Sequence, residues 1–320
     1  MTRPRPAWTP PLRDGVSASR VAVSGGPWNS VAAFLSARLR PGIDWGLRLA
    51  QGEVLDRLGH PIAANLACRE GDVFWYWRSL PPEPRVPFEL EVLHRCEHLV
   101  VVDKPHFLPV TPGGRYLQET ALVRLKRLLG IETLVPMHRL DMETAGVLAF
   151  TVQPAARRAY HALMREHRAH KVYEAVAPWR CDLQLPVTAS HRLEEPAGDG
   201  FMQMQVLPGQ PNAHTRIEVA RRLPCGPTDL ALYRLTPRTG RKHQLRAQMN
   251  ALGLPIVGDR IYPRLWPEPA ADAPPDYTQP LQLSRYRAAR IRHGAIRASC
   301  NSKASPRRSC AYSADRKSVV

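Results

Sequence analysis

Residues 138–146 read HRLDMETAG, and residues 147–152, VLAFTV, follow without a break. The second string is a strand signal, a run of β-branched and apolar residues. The first places His138, Arg139, Asp141 and Thr144 in a loop just ahead of it, and loops at strand ends are where catalytic groups tend to sit. Taken alone, such a short string is more often a turn in which the Asp, here Asp141, caps backbone amides. Kinases carry a similar string, but the chain has no G-x-G-x-x-G loop and no D-F-G.

Outward from this point the strand signals recur. Upstream lie ELEVLHR (89–95) and LVVVDKP (99–105); downstream lie KVYEAVA (171–177), HTRIEVA (214–220) and LALYRLT (230–236). Between them the spacing predicts a helix over 116–129 closed by Gly130, one starting at Pro154 and running to about residue 170, and one over 241–252 ended by Gly253. In the last, Leu245, Met249 and Leu252 share one face, and His243, Arg246 and Asn250 an adjacent polar face, so Arg246 can point from a rigid helix into a cleft. A solvated basic face is the plainer alternative. On the strand 171–177, Tyr173 is flanked by small residues on its own face, which leaves room for a planar ligand to stack; a core aromatic is again the plainer reading.

The 320 residues are 44% hydrophobic and carry a net charge of +17, which suggests two domains, or one with an appendage, and a polyanionic partner, nucleic acid first. Residues 1–80 hold +4, 81–280 hold +4 and 281–320 hold +9. Residues 1–27 are Pro- and Arg-rich and read as a disordered arm. Residues 28–80 hold a short helix over 28–40, another near 45–50 and two stretches of strand, and end at Pro81, Pro82, Pro84 and Pro87, which mark a boundary. Residues 81–284 form the larger domain, and the Arg- and Ser-rich residues 285–320 read as a disordered tail. Six cysteines without a C-x-x-C pair speak against a zinc site and a disulfide scaffold and fit a reducing cytosol. No apolar run reaches the length of a membrane span, and residues 1–15 lack the apolar stretch of a signal peptide. A cytoplasmic monomer without metal or cofactor is expected.

Five strings, taken together and in order, carry a resemblance: VVDKP at 101–105, HRLDMETAG at 138–146, KVY at 171–173, GRKHQLR at 240–246 and LGLPIVGDRIY at 252–262. The chain resembles the RluA-type pseudouridine synthases, whose pattern has a strand ending in N/D-K-P, then H-R-L-D-x-x-T-S-G, K-x-Y, G-R-x-H-Q-[IL]-R and L-G-x-P-I-x-G-D-x-x-Y. Residues 28–78 resemble, more loosely, the S4-like RNA-binding module often found ahead of that domain, through GEVLDRLGHPI and REGDVFWYW.

The resemblance implies an α+β fold: a mixed, mostly antiparallel, bent central sheet with flanking helices and an RNA-binding cleft, preceded by a small S4-like α/β module. It implies isomerisation of uridine to pseudouridine in structured RNA, ribosomal RNA ahead of transfer RNA, with no cofactor. It implies that Asp141 is the catalytic carboxylate, whether it attacks ribose C1′, attacks uracil C6 or abstracts a C2′ proton. Arg246 would hold its charge, Tyr173 would stack on the uracil, Arg139 would fill the space of the flipped base or contact phosphate, and Leu245 would pack on the base. His138, Thr144 and His243 would support them. Two motif positions depart from the family, Ala145 for Ser and Lys242 for Thr. After residue 283 the family's helical pattern and final strand are missing, which leaves open a second reading: an RNA-binding or ribosome-assembly factor that has lost catalysis.

Overall fold

The computed structural model describes residues 8–26, 28–39, 41–78, 82–196, 202–223, 229–267 and 273–285. Residues 286–320, which hold all but the first residue of the expected tail, lie outside them.

The first unit is a three-stranded antiparallel sheet, with β1 (Ser19–Ala22) and β2 (Val54–Leu55) on either side of β3 (Val73–Tyr76). Two short helices, α1 (Val31–Arg38) and α2 (Trp45–Ala50), are started by side-chain caps: Ser30 accepts from the Ala33 amide and Asp44 from the Leu47 amide. Val31, Phe34, Leu35, Trp45, Phe74 and Tyr76 close a core of their own. The expectation of a disordered arm over 1–27 fails from residue 8 on. Residues 19–22 pair with β3, and Val16 is buried against Leu117 and Val123 of the larger domain. Two alternating valines, Val21 and Val23, are too short a signal to outweigh the prolines around them.

The larger domain is a ten-stranded sheet. Its chain-order elements are β4 (Glu91–Arg95), β5 (Leu99–Lys104), α3 (Ala121–Leu129), β6 (Val135–Pro136), β7 (Ala145–Thr151), α4 (Arg157–Arg165), β8 (Tyr173–Pro178), β9 (Val187–Glu194), β10 (Gln205–Leu207), β11 (Ala213–Leu223), β12 (Leu230–Pro237), α5 (Gln244–Ala251) and β13 (Leu283–Arg285). The strand order is β10-β9-β11-β12-β8-β13-β7-β5-β4, with β6 also on β7, and every pairing is antiparallel except β13 on β7. This is the mixed, mostly antiparallel sheet that was expected. The helices are shorter than the periodicity suggests: α3 starts at its N-cap Thr120 rather than at Tyr116, and the helix after Pro154 ends at Arg165.

The prolines at 82–87 do not make a loose tether. The Glu83 carboxylate accepts the amides of Leu117, Gln118 and Glu119 just ahead of α3, and Val86 is buried in the core. Strand β13 joins two half-sheets, each with its own core. One core holds Val100, Val102, Leu148 and Phe150; the other holds Ile217, Tyr233, Leu235 and Met249; Tyr173 packs against both.

The expected tail begins one residue too early. Arg285 is a strand residue, opposite Gly146 on one side and Tyr173 on the other, and only 5% exposed. Gly146 explains how the strand fits. Its φ is 108°, and a Cβ there would lie 2.3 Å from the Arg285 carbonyl oxygen and 2.6 Å from its amide nitrogen. The glycine that ends HRLDMETAG is the opening through which β13 enters the sheet.

Candidate active site

The loop ahead of β7, the first residue of β8 and the first turns of α5 converge beside β13. They line a narrow inner pocket of about 100 Å³. Arg139, Asp141, Thr144, Tyr173, His243, Leu245 and Arg246 all line it, although they lie up to 107 positions apart in the sequence. The pocket adjoins a wider cleft of about 760 Å³, with which it shares Arg139, Asp141 and Tyr173 and to which His138 belongs.

Arg246 is 2% exposed, and three carboxylates surround it. Its Nε donates to Asp259 Oδ2 at 2.8 Å and its Nη2 to Asp259 Oδ1 at 2.6 Å, a two-pronged pair. Nη2 also donates to Glu143 Oε2 at 2.9 Å. Nη1 faces Asp141 Oδ2 at 3.6 Å. Arg246, expected to face Asp141, thus contacts two further carboxylates more closely. Burial works against the guanidinium's charge, but Asp259, Glu143 and Asp141 outweigh it and raise the pKa. Asp259 is itself fixed, since Oδ1 accepts the amides of Ile261 at 2.8 Å and Tyr262 at 3.0 Å. Burial pushes the Glu143 carboxyl up, with Arg246 opposing.

Asp141 is the open member of the group, with a side chain 33% exposed where that of Asp259 is 0%. Its carbonyl accepts the Thr144 amide at 3.1 Å, which closes the turn, and Thr144 is buried. His243 Nε2 stands 3.9 Å from Asp141 Oδ2. His243 caps α5 from a left-handed conformation with φ 48°, and burial lowers its pKa while Asp141 raises it. The Tyr173 phenol is pushed up, by burial first and with Asp141 adding to it, so it stays protonated near neutrality. Leu245 belongs to the core and also faces the pocket. Arg139 is at the surface of the cleft. His138 is held neutral: burial and the neighbouring Arg285 put its pKa well below the usual histidine value, and its ring accepts from Arg285 Nη1, 2.5 Å from Nε2.

Sequence reading did not single out five further residues. Lys104, of the D-K-P string, is buried and donates to the carbonyls of Pro105, Leu108 and Met142 at 2.8, 2.8 and 3.1 Å, tying the Asp141 loop to the end of β5. Burial lowers its pKa to about 7. Glu143 and Asp259 lie inside quoted strings, and Lys171 opens K-x-Y. Nothing in the sequence marks Arg285. Among the described residues no group of three or more His, Cys, Asp or Glu is placed to hold a metal ion, and no helix is long and apolar enough to cross a membrane.

A pocket of this kind, with one carboxylate facing in, an aromatic wall and a rim of cations, suits a flat neutral ring carried on a polyanion. Comparison with known proteins agrees. A family model described as RNA pseudouridylate synthase matches residues 98–251. An uncharacterized RNA pseudouridine synthase of Synechocystis is 34% identical over 220 residues, which cover 68% of this chain and 73% of that protein. The dual-specificity RNA pseudouridine synthase RluA of Haemophilus influenzae is 35% identical over 180 residues, 56% of this chain and 79% of that one. Among solved structures, the human RNA pseudouridylate synthase domain containing 1 shares the fold with a TM-score of 0.50 at 24% identity, covering 64% of this chain and 80% of that chain.

Proposed function

The chain belongs to the RluA-type RNA pseudouridine synthases, enzymes that isomerise uridine within RNA, and we propose that Asp141 is the carboxylate that carries its reaction. The observation behind this is that Asp141 is the one carboxylate among the described residues that lines the inner pocket. Glu143 and Asp259 are turned towards Arg246.

The reaction breaks the N1–C1′ bond, turns the uracil and forms a C5–C1′ bond; the C5 proton is lost and N1 gains one, so nothing is added or removed overall. The target nucleotide must first leave its stack, at a cost of about a few kcal/mol. Asp141 then faces the sugar and base. It acts by attack on C1′, attack on C6 or removal of the C2′ proton, each of them a task for its carboxylate. Tyr173, protonated and packed against both cores, offers a ring face for the uracil, with Leu245 on the α5 side. Arg139, at the mouth, takes the space of the flipped base or a backbone phosphate. His138, Thr144 and His243 hold the loop and the helix start in place.

The substrate in this reading is structured RNA, ribosomal ahead of transfer RNA. Residues 28–80 serve as an S4-like RNA-binding module that adds affinity and target choice. The enzyme works as a cytoplasmic monomer.

Replacing Asp141 by Asn keeps the shape and removes the charge. Nucleoside analysis of total RNA after incubation is expected to show pseudouridine formed by the wild type and none formed by Asp141→Asn. RNA affinity stays within about twofold, because phosphate contacts come from other residues. Turnover by the variant at the wild-type rate overturns the assignment. Sequencing for pseudouridine in parent and deletion strains identifies the RNA, and a lost site in transfer RNA alone overturns the ribosomal preference.

A further inference from the structure

Arg285 is the one buried cation of the cleft that the reaction above leaves without a task. It is 5% exposed, yet it lines the wide cleft together with Asp141, Lys171 and Tyr173. Its backbone is fixed by pairing with Gly146 and Tyr173 on the two flanking strands. Among the described residues no carboxylate pairs with it; its side-chain contacts are the ring of His138, a neutral acceptor, and the face of Tyr173, whose centroid lies 6.0 Å from Cζ. Its Nε is buried and has no hydrogen-bond partner.

A guanidinium taken out of water without an acid costs several kcal/mol, so such a group normally has a counter-ion or lowers its charge. Here the environment makes the deficit larger. Lys171 stands close enough for the two cations to oppose each other, and its ammonium donates only to the Thr239 carbonyl, at 2.8 Å. Arg246 is the contrast in the same site, a buried guanidinium enclosed by three carboxylates. Both arginines are cationic, but only Arg246 is balanced by protein carboxylates, and among the described residues none balances Arg285.

We infer that Arg285, with Lys171 beside it, is a receptor for one backbone phosphate next to the target uridine, which its guanidinium binds when the base enters the inner pocket. A phosphodiester supplies what the site lacks: a negative charge between the two cations and acceptor oxygens for unused guanidinium N–H groups. The surface cations of the same cleft, such as Arg139, can follow RNA in many positions. Arg285 cannot move with the backbone and so sets the register of one linkage relative to Asp141. This rests on the functional reading above, and it adds a residue that positions the substrate, not one that reacts.

The test is direct binding, read separately from catalysis. The probe is a 15-nucleotide single-stranded RNA with one central uridine, and a series in which each linkage near that uridine is in turn made a neutral methylphosphonate. Affinities are measured by fluorescence anisotropy at several salt concentrations. For the wild type, one substituted linkage beside the uridine is expected to weaken binding by about tenfold. For Arg285→Gln the same substitution should matter less than about twofold, and the salt slope should fall by about 0.7, the value for one contact on a single strand. Arg285→Lys keeps a charge at the site and retains part of the sensitivity. The thermal midpoints of both variants are recorded; should Arg285→Gln not fold, loss of the linkage effect in folded Arg285→Lys overturns the proposal. Equal penalties at every linkage in wild type and Arg285→Gln, or no sensitive linkage in the wild type, also overturn it. Absence of pseudouridine from total RNA treated with the wild type overturns the catalytic reading instead, and leaves the phosphate effect standing or falling on its own measurement.

Discussion

Removing the Arg246 side chain is expected to harm the fold before it harms the chemistry. In Arg246→Ala, Asp259 loses two charge-assisted bonds at 2.8 and 2.6 Å and Glu143 loses one at 2.9 Å. Both acids stay in place, with side chains 0% and 12% exposed. Three such bonds at about 1.5–3 kcal/mol each set an upper range. Water reaching the cavity and proton uptake reduce it, and breaking a buried pair from one side costs about 3–5 kcal/mol. We expect a loss of about 4 kcal/mol in urea unfolding, a large part of the stability of an ordinary domain. Adding Asp259→Asn to Arg246→Ala should recover part of it, although Asp259→Asn alone destabilises, because the pair then loses charge together. The loss also depends on pH. The Glu143 carboxyl already sits above its usual range through burial, with Arg246 holding it down. Without Arg246 it rises further. From the unfolded value upward the folded variant keeps a proton that the unfolded chain has released, so its stability falls as pH rises through that window. The loss is therefore larger at pH 8 than at pH 5. A change below about 1 kcal/mol, or strictly additive losses in the double variant, would refute the buried network and return Arg246 to a partner of Asp141 alone.

Three further substitutions test other parts of the site. Lys104→Met should be more harmful at high pH: the folded pKa of about 7 lies below the free value of 10.5, so between them the unfolded state binds more protons and wild-type stability rises with pH. The gap between wild type and variant should widen by about 2 kcal/mol from pH 7 to pH 9 in urea titrations, and a constant gap counts against a buried, neutralising lysine. Gly146→Ala should force β13 out of the sheet, since its Cβ would meet Arg285 backbone at 2.3 Å; about 3 kcal/mol of stability and the slow amide exchange of 283–285 should be lost together. Arg57→Gln with Arg69→Gln, both at the surface of the first unit, should lower the salt slope of RNA binding by about 1; an unchanged slope argues against that unit as an RNA contact.

What the sequence discloses follows the range of the forces involved. HRLDMETAG and GRKHQLR are legible because the chemistry needs particular residue types at short spacing, and β5, β7 and β12 because β-branched runs state their own preference. The full partner set of Arg246 is not legible. Asp259 lies 13 positions away and Glu143 103 positions away, and no periodicity links them; only the closed fold does. Strand β13 is hidden for another reason. Leu-Ser-Arg has no alternation to speak of and runs into an Arg-rich stretch, so local preference points to coil. Its place is set by neighbours, by the gap at Gly146 and by the free edge of β8. Strand β1 is similar, since SRVA becomes a strand only against VFWY. The segment at 82–87 misleads in the opposite direction: its prolines exclude regular structure, but Glu83 still anchors it through three amides.

The arrangement of charge bears on where the base and the backbone of a nucleotide would sit. Behind the inner pocket three carboxylates face one buried guanidinium, while Arg139, Lys171 and Arg241 line the pocket itself. The wide cleft shares those three cations and adds Lys242 and Arg285, with Asp141 its one carboxylate among the described residues. In the binding mode proposed above, a phosphodiester is stabilised in that wider cleft, while uracil, neutral and flat, lies at the Tyr173 wall. The two cavities meet at Asp141 and Tyr173. In that proposed mode a nucleotide held by its phosphate outside and its base inside would have its sugar at that junction, with C1′, the atom whose bond must change, beside Asp141, the most exposed of the three carboxylates.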